Sequence, residues 1–252
     1  MDVLLILALA VAAVSAVRGI WSPCGLSMLS SITPMTEAGR GNRFGVTAAW
    51  FLVGGIVGGL TLGAVAAGAA ALVSLADPSD AVRYGVAAVA AVATSAIDLG
   101  VAGIELPIFK RQVNDAWLRR YRSWVYGAGF GWQIGTGVAT YIMTAGVFLT
   151  IALAVLTASP VAALAIGATF GVVRGSAVYL GRSATTPAAL NEVHERLDRF
   201  SGPSRAAAAG IQVVAATFAA ALAWGPIAAI VVIALAGLAI VATGTGRRAA
   251  PA

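Results

Sequence analysis

Long apolar segments recur along the whole chain and limit what it can fold into more than any other feature. Short stretches that hold most of the charged residues separate them. The segments comprise residues 3–32, 45–75, 82–107, 124–157, 160–181, 206–223 and 226–243. A helix of about 20 apolar residues crosses the hydrocarbon core of a bilayer. The pattern therefore predicts an all-α integral membrane protein with about seven transmembrane helices.

The composition supports this class and excludes several others. Hydrophobic residues make up 60% of the 252 and charged residues only 10%, too few to cover a soluble domain of this length. The net charge of +6 comes from arginines between apolar segments, so we expect no nucleic-acid binding. With one cysteine and one histidine, we expect no metal site, no internal disulfide and no cofactor. The motifs of ordinary hydrolases and dehydrogenases are missing, so the sequence does not indicate an enzyme.

The positive charges alternate regularly along the chain. They cluster after the first, third, fifth and seventh segments, whereas the other connections are mainly acidic or neutral. The clustered residues are Arg40, Arg43, Lys110, Arg111, Arg119, Arg120, Arg122, Arg182, Arg196, Arg199, Arg205, Arg247 and Arg248. The positive-inside rule then predicts an N-terminus outside and a C-terminus in the cytoplasm of a bacterial plasma membrane. The first segment has neither a basic start nor a cleavage site, and we expect it to span the membrane.

Residues 183–204 form the only sizeable polar insert. Within residues 187–200, apolar side chains recur at helical spacing, at Leu190, Val193, Leu197 and Phe200. We expect an amphipathic helix that lies on the cytoplasmic membrane surface, with His194 facing solvent.

The first and fourth segments contain related breaks. Residues 21–25 are Trp-Ser-Pro-Cys-Gly and residues 132–136 are Trp-Gln-Ile-Gly-Thr, and small and hydroxyl residues follow both runs. In the predicted orientation the two segments cross in opposite directions. This predicts an inverted repeat of two three-helix units, residues 3–107 and 124–223, followed by an extra helix at 226–243 in one membrane domain. In such folds the paired broken helices mark the functional site.

Three short motifs give the chain a resemblance to a known family. They are Ser22-Pro23-Cys24, Arg43 followed by Phe51-x-x-Gly54 in a glycine-rich segment, and Gly127–Trp132. Together they resemble the CcdA-like transmembrane domain, the cytochrome c biogenesis transmembrane region that also forms the membrane part of DsbD-type reductases. The resemblance covers about residues 25–225, which is six of the seven segments.

The resemblance implies a route for reducing equivalents across the membrane. In the family, one cysteine in each half forms a reversible disulfide that cytoplasmic thioredoxin reduces and an extracytoplasmic thioredoxin-like protein re-oxidises. Cys24 matches the first of these cysteines, but Ile134-Gly135 stands where the second Pro-Cys is expected. The resemblance is thus to a divergent member without the second cysteine. A disulfide relay cannot run within this chain, because it needs two sulfurs about 2 Å apart.

Ionisable residues inside the apolar segments are functional candidates because they are unfavourable in lipid. Asp98 and Arg174 both lie about 21 Å from the outer ends of their segments at 1.5 Å per residue, and this equal depth favours an ion pair. Arg18 precedes Cys24 by about 9 Å along a helix and can join them. The pattern fits structural pairing that fixes helix register. It also fits a polar pathway in which the arginines attract an anionic solute and Asp98 balances charge or carries a proton.

Three functions follow from these features. The first, which we prefer, is a carrier that moves a small polar or anionic solute through a site between the first and fourth spans. Its binding residues are predicted to be Arg18, Pro23, Asp98, Gly135 and Arg174. The second is a redox protein that uses Cys24 as a catalytic thiol in exchange with thioredoxin-like proteins. The third is a non-catalytic subunit that assembles with other membrane subunits. The missing second cysteine, beside retained intramembrane charges, favours the carrier.

Overall fold

A computed structural model describes residues 3–101 and 116–248. Within these ranges the chain is almost wholly helical and holds no strand. The helices are α1 (Val3–Arg18), α2 (Pro23–Ser31), α3 (Pro34–Gly39), α4 (Phe44–Ala76), α5 (Asp80–Leu99), α6 (Trp117–Arg120), α7 (Ser123–Gly135), α8 (Gly146–Leu156), α9 (Pro160–Ser176), α10 (Pro187–Trp224) and α11 (Pro226–Arg248). Short 3₁₀ turns extend α1 at Gly19–Trp21 and α9 at Ala177–Ser183.

Five of the described helices are long and apolar enough to cross a membrane. With the adjoining turns, they are Val3–Trp21, Phe44–Ala76, Asp80–Leu99, Pro160–Ser183 and Pro187–Trp224. Two shorter apolar helices occur at Gly146–Leu156 and Pro226–Ala242. Many large apolar side chains of α4 and α11 are exposed, as expected for surfaces that contact lipid. The prediction of an all-α membrane protein in contact with a bilayer is confirmed. The inner end of the predicted third segment, with Lys110 and Arg111 after it, lies outside the described residues.

The first and fourth predicted segments are each divided into two helices. The turn after α1 ends at Trp21, and α2 begins at Pro23 with Ser22 as its N-cap. Proline fits the first turn of a helix because the missing N–H would have no helical partner there. In the fourth segment, α7 ends at Gly135 and α8 begins at Gly146. Between them, Gly137 has a φ of 70°, a left-handed conformation that favours glycine.

Glycines on α4 allow close helix packing in the centre of the protein. A Cβ on Gly55 would lie 2.8 Å from the Cα of Gly175, and one on Gly59 would lie 2.6 Å from the Cα of Gly171, both at the end of α9 or within it. On the other side, a Cβ on Gly131 of α7 would lie 2.9 Å from the Gly55 nitrogen. The glycine-rich second segment is therefore a packing surface on which both neighbours approach at backbone distance.

The helix pairs follow a regular scheme. In the centre α4 contacts α7 and α9, while α5 packs along α10. The first helix contacts α8, α9 and α10, and α5 also contacts α8. These contacts fit two equivalent halves, in which the first, second and third predicted spans correspond to the fourth, fifth and sixth. When corresponding spans are exchanged, each of these main helix pairs becomes a pair that is also in contact. The last helix, α11, packs on α10 and α5 outside this scheme.

The predicted amphipathic helix at residues 187–200 is not a separate surface element. It is continuous with the sixth predicted span as the 38-residue helix α10, which contains Pro203 in its interior. Val193 and Leu197 are buried in a cluster that includes Ile20 and Met28, so this part of the face packs on protein, whereas Phe200 is 61% exposed. His194, expected to face solvent, is half-buried, and its Nε2 lies 3.2 Å from the Ser30 hydroxyl.

Candidate functional site

A cavity of about 660 Å³ opens between the ends of α1 and α5 and the facing sides of α10 and α11. Two arginines, a carboxylate residue and a serine contribute its polar lining: Arg18, Arg205, Asp98 and Ser201. The other lining residues are small or apolar and include Leu99, Val213 and Ile240. Ligand sites commonly combine mostly apolar walls with a few convergent polar groups.

Both arginines are held by neutral oxygens. Nη1 of Arg18 donates to the carbonyl oxygen of Ser201 at 3.2 Å and to the hydroxyl of Ser204 at 2.9 Å. Arg205 donates from Nε and Nη2 to the backbone carbonyl of Asp98, at 3.4 and 3.3 Å. A guanidinium has five N–H donors, so each retains donors for a further acceptor. The cavity therefore presents two positive charges whose hydrogen bonds position them without neutralising them.

The carboxylate of Asp98 faces the protein core behind the cavity. Its Oδ1 accepts from the backbone nitrogen of Ala145 at 2.8 Å, and its Oδ2 accepts from Nε2 of Gln212 at 2.6 Å and from the hydroxyl of Thr144. Ala145 is the N-cap residue of α8, so the carboxylate lies at the positive end of that helix. This contact joins α5, α8 and α10 around one charge.

The expected ion pair between Asp98 and Arg174 does not form. Arg174 is 4% exposed and donates from Nη2 to the Ser22 hydroxyl at 3.1 Å and from Nη1 to the Ala16 carbonyl at 3.5 Å. A Cβ on Gly19 would lie within 2.9 Å of Nη2. The guanidinium thus lies against the break after α1, where free carbonyl groups carry partial negative charge. Equal depth along two helices was not sufficient, because the two side chains face different neighbours.

Cys24 lies in the first turn of α2 and is 3% exposed. The Ser22 hydroxyl accepts a hydrogen bond from the Gly25 nitrogen at 3.1 Å and also receives Arg174, so it links the cap of α2 to the buried arginine. Arg174 also interacts electrostatically with Cys24. The break therefore contains the thiol beside a cation, in a closely packed environment.

The structure separates the predicted binding residues into two locations. Arg18 and Asp98 contribute to the cavity, whereas Arg174 and Pro23 lie at the first break. Gly135 ends α7, and a Cβ there would lie 2.7 Å from the Cα of Gly55, so this position packs against α4. The cavity lies toward the end of α1, and Asp98 of its lining reaches the break of the fourth span, where its carboxylate accepts from Thr144 and Ala145.

Three important polar residues were not predicted. Gln212, a single amide in the apolar part of α10, contacts Asp98, and its isolation among apolar neighbours was the available signal. Arg205 belongs in the sequence to the basic connection after the fifth segment, and nothing distinguishes it there from the other arginines. Glu37 is 0% exposed, and its oxygens accept from Arg40, Thr47 and Tyr126 at 2.8, 2.5 and 2.6 Å. An acidic residue in a connection gives no signal of such burial.

The chain is similar to curated proteins named methylamine utilization protein MauF. Identity is 29% over 159 residues with the protein of Paracoccus versutus, 30% over 156 with that of Methylorubrum extorquens and 30% over 162 with that of Methylophilus methylotrophus. Each match covers 61% of this chain and 57%, 54% and 54% of the respective relative, so the chain spans about half the length of the relatives it matches. No family model and no solved structure matches the chain.

Proposed function

We propose that the protein carries a small polar or anionic solute across the bacterial plasma membrane and binds it in the cavity at Arg18 and Arg205. The observation that carries this proposal is the pair of guanidinium groups in one cavity of about 660 Å³, both hydrogen-bonded to neutral oxygens of the described residues. A cavity of this size accommodates a small solute. Arginines that retain N–H donors bind carboxylate or phosphate groups.

The proposed architecture is the one expected from the sequence: seven spans, N-terminus outside, C-terminus in the cytoplasm, and two inverted three-helix units of CcdA-like fold. The divided first and fourth spans support it, as does the exchange relation among the main helix pairs. In this orientation the cavity at the ends of α1 and α5 opens toward the cytoplasmic side. Transport then requires the two halves to rock about the close glycine contacts of α4.

The process served is proposed to be methylamine utilization, on the basis of the name that the relatives carry. A dibasic cavity repels the methylammonium cation itself. The solute is therefore proposed to be an anionic or neutral polar compound that this process consumes or releases.

The thiol alternative has less support. Exchange with a thioredoxin-like protein requires the partner sulfur to come within about 2 Å of the Cys24 sulfur, and this side chain is 3% exposed. Cys24→Ser tests the alternative directly: we expect unchanged solute uptake and unchanged growth. Loss of either, together with trapping of a partner through Cys24, would favour the redox function instead.

Uptake into proteoliposomes tests the carrier, with radiolabelled acetate, phosphate and sulfate as probes. Arg205→Gln should reduce uptake of the transported probe by about tenfold or more, the loss expected from one charge-assisted contact. Arg199→Gln is the matched control, an exposed arginine of the same helix outside the cavity. Equal uptake by the two variants, or no uptake of any probe by the unaltered protein, would contradict the proposal.

The link to methylamine utilization needs a test in cells. A strain of Methylorubrum extorquens that lacks its own relative should recover growth on methylamine when this chain is supplied, and should not recover with Arg205→Gln. Recovery with both versions would show that growth on methylamine does not depend on Arg205 in the cavity.

A further inference from the structure

A second cavity adjoins the one that contains Arg18 and Arg205. It has a volume of about 200 Å³, lies between α5, α10 and α11, and shares Leu99, Val213 and Ala236 with the larger cavity. The two cavities therefore meet at these three side chains. We call the smaller one the tail pocket; its lining also includes Val92, Ser95, Ala96, Val232, Leu235 and Ala239.

The walls of the tail pocket do not suit water. Among the described residues, its only polar side chain is that of Ser95, whose hydroxyl donates to the carbonyl oxygen of Val92 at 2.9 Å. An ordered water inside a protein needs about two to four polar partners, and these walls do not supply them. The tail pocket is therefore suited to an apolar group.

The charges of the larger cavity favour a ligand with a single negative charge. Two guanidinium groups and one carboxylate contribute to its described lining, which gives a net charge of one positive unit. The carboxylate, of Asp98, accepts three hydrogen bonds from neutral donors, as expected for its ionised form. A monoanion neutralises this cavity, whereas a dianion would leave one charge uncompensated in mainly apolar surroundings.

We propose that the solute is a small organic monoanion with an alkyl chain. Its carboxylate or sulfonate head binds at Arg18 and Arg205, and its chain lies in the tail pocket. The inference rests on the proposed carrier function, because the same two arginines bind the head. The contact between the two cavities at Leu99, Val213 and Ala236 carries it, since one ligand can then place its charge in the larger cavity and its chain in the smaller.

Binding to the full chain in phosphatidylcholine nanodiscs tests this solute class without transport. Methanesulfonate, propanesulfonate and pentanesulfonate are the probes, because each carries one charge at any usable pH. The measurement is the probe concentration that gives half of the maximal rise of Tm. We expect it to fall by about tenfold for each two added carbons, the gain from burying two methylene groups. Sulfate, in which a charged oxygen replaces the methyl group of methanesulfonate, should bind about tenfold more weakly than methanesulfonate.

Two leucine substitutions in α11 locate the chain. Ala239→Leu fills part of the tail pocket and leaves the larger cavity unchanged, because Ala239 lines only the former. Methanesulfonate should bind as before, while the gain for two added carbons should fall to about twofold or less. Ala234→Leu is the matched control, the same change at an exposed position of α11 outside both cavities. Arg205→Gln should weaken all three sulfonates by the same factor.

Three results would overturn the inference: no gain in binding with chain length, tighter binding of sulfate than of methanesulfonate, or the same gain with chain length in Ala239→Leu and Ala234→Leu. The first is the result expected if a lipid acyl chain fills the tail pocket instead. The two proposals fail separately. Binding that depends on chain length, with no uptake of any anion into proteoliposomes, would leave the bound monoanion and remove the carrier. Uptake of acetate with no effect of chain length on binding would leave the carrier and remove the tail pocket.

Discussion

Two buried carboxylates in this protein are held in contrasting ways. Glu37 accepts hydrogen bonds from the guanidinium of Arg40 and from two hydroxyl groups, and its charge is neutralised within its own cluster. Within the described residues the Asp98 carboxylate accepts from neutral donors, while Arg18 bonds to serine oxygens and Arg205 to the backbone carbonyl of Asp98. The first arrangement closes on itself, whereas the second leaves two guanidinium groups with N–H donors that no carboxylate engages. The difference distinguishes a structural cluster from the proposed binding site.

Their surroundings differ in the same way. The Glu37 clamp, formed by Glu37, Arg40, Thr47 and Tyr126, ties α3 to α4 and α7. Its tyrosine also accepts a hydrogen bond from Asn42 at 3.1 Å, which extends the satisfied network. Asp98, in contrast, also lines the cavity, and its donor Gln212 has a buried Oε1 without a hydrogen-bond partner among the described residues.

The largest effect is expected from Glu37→Ala. The change removes the carboxylate that accepts from Arg40 and from two hydroxyls, leaves the guanidinium with the Ser31 carbonyl as acceptor, and should lower the free energy of unfolding by about 3 kcal/mol. Denaturant unfolding in detergent, followed by helical circular dichroism, measures it. Asp80→Ala is the control, since it breaks an i,i+3 pair with Arg83 of the same kind at an exposed site, and should change stability by at most about 1 kcal/mol. Similar losses in both variants would mean that the clamp is not structural.

Asp98→Asn should have a smaller effect on stability and a larger one on function. The amide keeps an acceptor oxygen for the start of α8, and we expect a loss of about 1–2 kcal/mol. Without the carboxylate the two arginines should hold the anion more tightly and release it more slowly, so anion uptake should fall by about tenfold or more. Unfolding and proteoliposome uptake, measured on the same preparations, provide both values. If uptake remains normal, Asp98 has a structural role like that of Glu37, and the proposed functional difference between the two carboxylates is wrong.

The sequence was informative about position along each helix and uninformative about direction around it. Apolar length predicted the membrane helices, and Pro23 predicted the break between α1 and α2. Asp98 and Arg174 are predicted to lie at equal depth along their helix axes, but Asp98 faces α8 and α10 while Arg174 faces the break after α1. A helical repeat fixes a residue's height, whereas its partner depends on how the bundle packs.

The Glu37 clamp shows a second limit of what the sequence can predict. Residues 33–44 have the composition of a loop, and the short helix α3 within them begins with a capping box at Thr33. Nothing local indicates that Glu37 is buried, because its donor Tyr126 lies 89 residues away in the chain. The long helix α10 is a third case: the sequence predicts a separate helix at residues 187–200, whereas α10 continues through Pro203, and its Val193 and Leu197 are buried in the protein.

The smallest effect is expected from Tyr126→Phe, which weakens the Glu37 clamp without removing its charge pair. The carboxylate keeps Arg40 and Thr47 as donors and loses one hydrogen bond, so the free energy of unfolding should fall by about 1 kcal/mol. Tyr121→Phe, at an exposed tyrosine, is the control and should leave stability unchanged. Anion uptake should also be unchanged, because the clamp does not line the cavity. A variant that is equally stable but transports less would assign a functional role to the clamp and reverse the distinction between the two carboxylates.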